Sequence, residues 1–111
     1  MNILMTEAVL NRAAQGQRVL IVDRTMTAVG AHFSDVAAAA HTIPAARITR
    51  AKGRERIELD AGRVDFRMYG RTRGLYADVI VTYNERDLTP EEHEALRAVG
   101  ATAHTLLRAE D

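Results

Sequence analysis

Two short runs, Arg18-Val-Leu-Ile-Val-Asp23 and Asp78-Val-Ile-Val-Thr-Tyr83, constrain the fold of this chain more than any other feature. Each is rich in β-branched residues and apolar at consecutive positions. Successive side chains of a strand point to opposite faces, so an unbroken apolar run needs cover on both. That is the pattern of strands inside a parallel sheet with helices above and below.

The intervening segments supply those helices. From Asn2 to Ala14, Met5, Val9, Leu10 and Ala13 recur at helical spacing, and Gly16 follows as a left-handed cap. From Thr27 to Ala40 the stripe is Val29, Phe33, Val36, Ala37 and Ala40, with Pro44 beyond its end. Thr89-Pro-Glu-Glu92 combines a Thr cap, Pro at the first helical position and Glu three residues after the cap, so a helix over 90–98 is expected, stopped by Gly100. Between residues 54 and 69 the period changes to two: Ile57 and Leu59, then Val64, Phe66 and Met68, separated by Asp60-Ala-Gly62, predict a β-hairpin. Gly70–Gly74 reads as a flexible basic loop. Ala101–Leu107 reads as a last strand. The expected fold is a single three-layer α/β domain over residues 1–111. It has a small parallel sheet (18–23, 78–83, 101–107), an inserted hairpin (54–69) and flanking helices (2–14, 27–40, 90–98).

The 111 residues suffice for one domain, and 47% apolar with 27% charged residues suits a packed core. Without cysteine there are no disulfides and no thiolate metal sites, which suits a cytoplasmic chain. No apolar run nears the ~18–20 residues needed to cross a bilayer, and no membrane partner is expected. The neutral total hides an asymmetry. Between Arg47 and Arg73 nine basic residues face four acidic ones, Glu55, Glu58, Asp60 and Asp65, while the rest of the chain is acidic. Arg47, Arg50, Lys52, Arg54, Arg71 and Arg73 are the candidates for contacts with nucleic acid or an acidic partner. The alternative is that the basic residues pair with those four acids inside the fold.

Other chemistries have little support. None of the histidines, His32, His41, His93 and His104, forms an H-E-x-x-H or i,i+4 pair, so no metal is expected, and His93 and His32 read as helix-face residues. Ser34, the only serine, lies within a helix, away from any nucleophile elbow. Asp23 ends a buried strand, where open α/β sheets often place ligand groups and where polar residues are also common without any ligand.

The order of elements resembles a known family. Gly-x-Arg-Val-Leu-Ile-Val between two helices, then Glu58–Arg67, Gly70–Leu75, Ala77–Val81 and Asp87–Leu96, are similar to one continuous section of the ATPase domain of phage terminase large subunits and related helicase-like P-loop ATPases. The resemblance implies a phage-encoded protein acting in the host cytoplasm. It also implies where the ATPase motifs should fall. Met5-Thr6 stands in place of the phosphate-loop Lys-Thr pair, with Asn2-Ile3-Leu4 before it instead of a glycine-rich loop. Tyr83-Asn84 stands in place of the metal-binding Asp and catalytic Glu; a one-residue shift brings Glu85 to the catalytic position but leaves Asn84 at the metal position. A phenol and a carboxamide do not replace two carboxylates in holding magnesium and activating water.

The expectation is therefore a truncated, catalytically inactive relative with no cofactor. If the family's strand order is inherited, the last strand, Ala101, Thr102, Ala103, His104, Thr105, Leu106 and Leu107, lies on a sheet edge and invites pairing with a partner or a second copy. A non-specific nucleic-acid accessory protein is the alternative, and a nucleotide binder without turnover the third.

Overall fold

The computed structural model describes residues 1–100 and 105–109. Its elements in chain order are α1 (Ile3–Ala14), β1 (Arg18–Asp23), α2 (Met26–Ala40), β2 (Arg47–Thr49), β3 (Arg56–Glu58), β4 (Arg63–Met68), β5 (Val79–Tyr83), α3 (Pro90–Gly100) and β6 (Thr105–Ala109). The six strands form one sheet in the order β2-β3-β4-β1-β5-β6.

β1 is central. It pairs in parallel with β4 on one side, Ile21 opposite Phe66, and with β5 on the other, Ile21 opposite Val81. All four residues of its apolar run, Val19 to Val22, are at most 1% exposed. Val19 and Ile21 join Val64, Phe66, Val79 and Val81 in a core closed by α1 and α2. Leu20, Val22 and Ile80 pack on the other side with Tyr69, Ala77 and Val99. The three expected layers are present, each face of the sheet taking alternate residues of the same run.

The expected hairpin needs two corrections. Its strands do pair antiparallel, Ile57 opposite Val64, but β4 is also a full member of the parallel sheet, so the hairpin is an extension of the sheet rather than an insertion beside it. β2 then adds a third antiparallel strand at the edge, Ile48 opposite Ile57. The sequence hid the first of these facts behind the alternation of β4. Asp65 and Arg67 alternate with Val64 and Phe66, which imitates a half-solvated strand, yet Asp65 is only 2% exposed because arginines cover it.

The last strand is present where the residues are described. It spans Thr105–Ala109 and pairs in parallel with β5, Val81 opposite Leu107. Of the residues expected in it, Ala101, Thr102, Ala103 and His104 lie outside the described residues.

Each helix start is capped by a side chain, at α3 by the predicted capping box. Asn2 caps α1 by accepting from the Met5 N–H at 2.8 Å, and Thr25 caps α2 by accepting from Ala28 at 3.1 Å. At α3, Thr89 Oγ1 accepts from the Glu92 N–H at 3.1 Å while Glu92 Oε1 accepts from the Thr89 N–H at 2.9 Å, a reciprocal capping box. Gly62 has a further role beyond its turn. A Cβ there would lie 2.4 Å from the Ala13 carbonyl oxygen and 2.3 Å from that of Gln17, so only glycine lets the β3–β4 turn sit against the end of α1.

Candidate functional site at the carboxyl ends of the strands

The chain leaves β1 toward the β2–β4 side of the sheet and leaves β5 toward β6, on the opposite side. Between the carboxyl ends of β1 and β5 the direction of winding therefore reverses, the place where open α/β sheets form a ligand crevice. Here side chains close it. Asp23, ending β1, accepts at Oδ1 from the Arg24 N–H at 2.6 Å and from Asn84 Nδ2 at 3.1 Å. Its Oδ2 lies 2.7 Å from His32 Nε2 on α2. A ring nitrogen facing a carboxylate carries a proton, so Nε2–H donates, while Nδ1 is buried without a hydrogen-bond partner. The His32 ring stacks on Tyr83 at a centroid separation of 4.1 Å.

Backbone groups complete the closure. Arg24 Nε donates to the Asn84 carbonyl at 2.6 Å, and the Tyr69 hydroxyl donates to the Tyr83 carbonyl at 2.7 Å. Asn84 sits at φ 51°, a left-handed conformation that asparagine tolerates better than most residues. Burial is the main cause that raises the Tyr69 pKa, with the charges of Glu85 and Asp23 adding to it.

Thus the sequence's Tyr83-Asn84 pair is brought to Asp23, and His32 joins them. The reading of His32 as a helix-face residue is corrected, since it is 6% exposed, while His93 is exposed on α3 as expected. A signal for it was present, because His32 lies three residues after Val29 and four before Val36 on the buried stripe of α2. Met5 and Thr6 belong to the first turns of α1. Thr6 is buried and its hydroxyl donates to the Asn2 carbonyl at 3.0 Å, and Met5 packs on the α1–α2 core.

The basic residues divide into two groups. Asp65 receives Arg56 at 2.6 Å, Arg63 at 3.0 Å and Arg67 at 3.6 Å, and Arg47 meets Glu58 at 3.5 Å. Part of the charge is therefore neutralised within the fold, and Arg47 belongs to that part. Arg67 also donates to the carbonyls of Glu55 and Phe66. Burial lowers its pKa, against the charge of Asp65, which raises it. Arg50 lies 3.4 Å from His41 Nε2 with its guanidinium over the Phe33 ring. Lys52, Arg54, Arg71 and Arg73 are exposed and form no ion pair among the described residues.

Two of those segments meet. Gly53 and Arg71 line one cavity of about 310 Å³ together with Glu55, Arg67 and the apolar Met26, Val29, Phe66 and Met68. The 70–74 loop is also better fixed than expected. Gly70 and Gly74 take φ of 81° and 82°, and Thr72 between them is 1% exposed, its hydroxyl 3.4 Å from the Ala95 carbonyl of α3.

Comparison with known proteins places the fold. No protein-family model and no curated protein matches the sequence. Among solved structures, the chain is similar to the large terminase of a thermophilic bacteriophage, with a TM-score of 0.66 and 12% identity over 96% of this chain and 30% of that one. It is also similar to the large terminase ATPase domain of Thermus phage P74-26, with a TM-score of 0.55 and 15% identity over 95% of this chain and 51% of that one. The class is that of the phage terminase ATPase fold. The chain shares that fold at low sequence identity and spans about half or less of the length of these proteins. Among the described residues no helix is long and apolar enough to cross a membrane.

Proposed function

We propose that this chain is a catalytically silent, phage-type ATPase-like domain that acts by pairing its β6 edge with another chain, a second copy or a protein partner. One observation carries the reading: β6 is the end of the sheet among the described residues, hydrogen-bonded to β5 alone. A strand at an edge keeps a row of backbone donors and acceptors that another strand satisfies. Silence is supported at the end of β5, where Tyr83 is stacked on His32 and Asn84 donates to Asp23. Neither Tyr83 nor Asn84 offers the carboxylate oxygens with which such a site holds a magnesium nucleotide. Light scattering across a wide concentration range tests the pairing, with a mass that rises above the 12.3 kDa of the monomer as the expected result. A mass fixed at the monomer and no partner in a pull-down sensitive to proline in β6 would overturn it. Magnesium-dependent ATP turnover by the purified chain would overturn the silence.

A second reading rests on the meeting of Gly53 and Arg71 at one cavity, which draws the exposed Lys52 and Arg54 toward the 70–74 loop. Such a surface suits phosphate backbones without base readout. Fluorescence anisotropy of a labelled duplex at low and moderate salt, beside an Arg71→Glu/Arg73→Glu variant, tests it; salt-sensitive binding lost in the variant is expected. Unchanged binding in the variant would remove the loop from the site.

A further inference from the structure

The cavity beneath Arg71 has features that neither reading uses. Its walls are apolar where Met26, Val29, Phe66 and Met68 contribute, and a slot of about 310 Å³ is large enough for a flat heterocycle. One lining residue is out of place in a packed domain. Glu55 is 7% exposed, and its Oε1 is buried with no hydrogen-bond partner. An ionised carboxylate only accepts hydrogen bonds, and a buried one left without donors carries a desolvation penalty that a bound donor relieves. The charge of Arg67 acts on Glu55, but its Nη1 donates to the backbone carbonyls of Glu55 and Phe66 and Oε1 is left without a donor. At the same cavity Arg71 is exposed and forms no ion pair among the described residues, so it offers a cation to an anionic group.

We infer that this cavity is a binding site for a guanine nucleotide, its base between the apolar walls with its N–H edge on Glu55 and its phosphate on Arg71. The choice among bases follows from the carboxylate. Guanine presents two adjacent donors on one edge, N1–H and the 2-amino group. Adenine sets an acceptor nitrogen beside its amino group, and uracil flanks its single N–H with two carbonyls, so both bring lone pairs against Glu55. A free organic cation fits less well, since Arg54, Arg67 and Arg71 lie around the same carboxylate or cavity. The site is separate from the β6 edge and does not depend on partner binding there.

Calorimetry on the full chain tests the inference with GMP, AMP, guanosine and a thymine oligonucleotide carrying one guanine. Saturable GMP binding is expected, with AMP weaker by about tenfold or more, the discrimination a good donor–acceptor pairing gives. Glu55→Gln, nearly isosteric, should weaken GMP by about tenfold while thermal melting confirms folding. Arg71→Ala should weaken GMP and leave guanosine unchanged, which separates a phosphate contact from a general loss of structure. A guanine-bearing strand that binds far more tightly than GMP identifies the source as an unstacked base of a single strand, and equal or weaker strand binding identifies the free nucleotide. Equal affinity for AMP and GMP, indifference to Glu55→Gln in a folded variant, or no GMP saturation at millimolar concentration would overturn the assignment.

Discussion

Asn84 donates its side-chain amide to Asp23 across the carboxyl ends of adjacent parallel strands, 61 residues apart in sequence and 3.1 Å apart in space. The contact needs an amide: a second carboxylate there would face Asp23 with no donor between them. Asn84→Asp is expected to destabilise the fold by about 2 kcal/mol, by removing a donor and adding like charge. Urea denaturation checks it. Asp23→Asn added to Asn84→Asp should recover part of the loss, and a loss that persists unchanged in the double variant would show that the pair is not coupled.

Tyr69 makes the fold sensitive to strong alkali. Its pKa is raised above the ordinary value of 10.0, chiefly by burial, so the folded state holds the proton that the unfolded chain releases. The contribution is complete below pH 10.0 and is lost as pH rises from there toward the folded value. Stability measured by thermal melting should begin to fall near that pH, and the fall should be shallower in Tyr69→Phe. That variant should also lose about 1 kcal/mol at neutral pH, with the hydrogen bond to the Tyr83 carbonyl.

Gly62 tests the seating of the β3–β4 turn on α1. Because an added Cβ would meet two backbone oxygens rather than flexible side-chain ends, nothing nearby yields cheaply. Gly62→Ala should cost about 3 kcal/mol. Chemical denaturation would show a lower midpoint, and an unshifted midpoint would contradict the close approach.

Asp65 tests whether the basic middle of the chain is a structural device. Its carboxylate is 3% exposed and gathers Arg56, Arg63 and Arg67. Asp65→Ala leaves partly buried guanidinium groups without their common partner and should cost about 3 kcal/mol or more. Salt should restore little of it, because burial limits screening. A surface-like loss below about 0.5 kcal/mol would return these arginines to the solvent.

What the sequence made legible was what local chemistry determines. The box at Thr89 and Glu92 and the stripe on α2 are set by neighbours within four residues, and both elements lie where those signals put them. The apolar run at Val19–Val22 announced a doubly covered strand but could not say which strands would flank it. β2 escaped notice because its three residues, Arg47, Ile48 and Thr49, are exposed or half-buried and depend on β3 for their extended form. Asp23 and Asn84 are each marked by position in the sequence, but their contact with one another and with His32 was not legible, because distant strands and α2 create it only when they meet. Glu55 is similar, a buried acid within a stretch of sequence dense in arginine.

The place of β1 has a consequence for how the molecule is made. Neither of its partners is a neighbour in sequence, since Arg18 waits for Arg63 and Val19 for Val79. As the chain emerges from the ribosome, its most apolar strand has no ladder to join until the distant β4 has followed, and its second flank arrives later still. Closing such distant pairs is slow and leaves sticky surface uncovered meanwhile. During that interval α1 and α2, which pack on one face of the strand in the finished fold, are the elements already made that can shelter it.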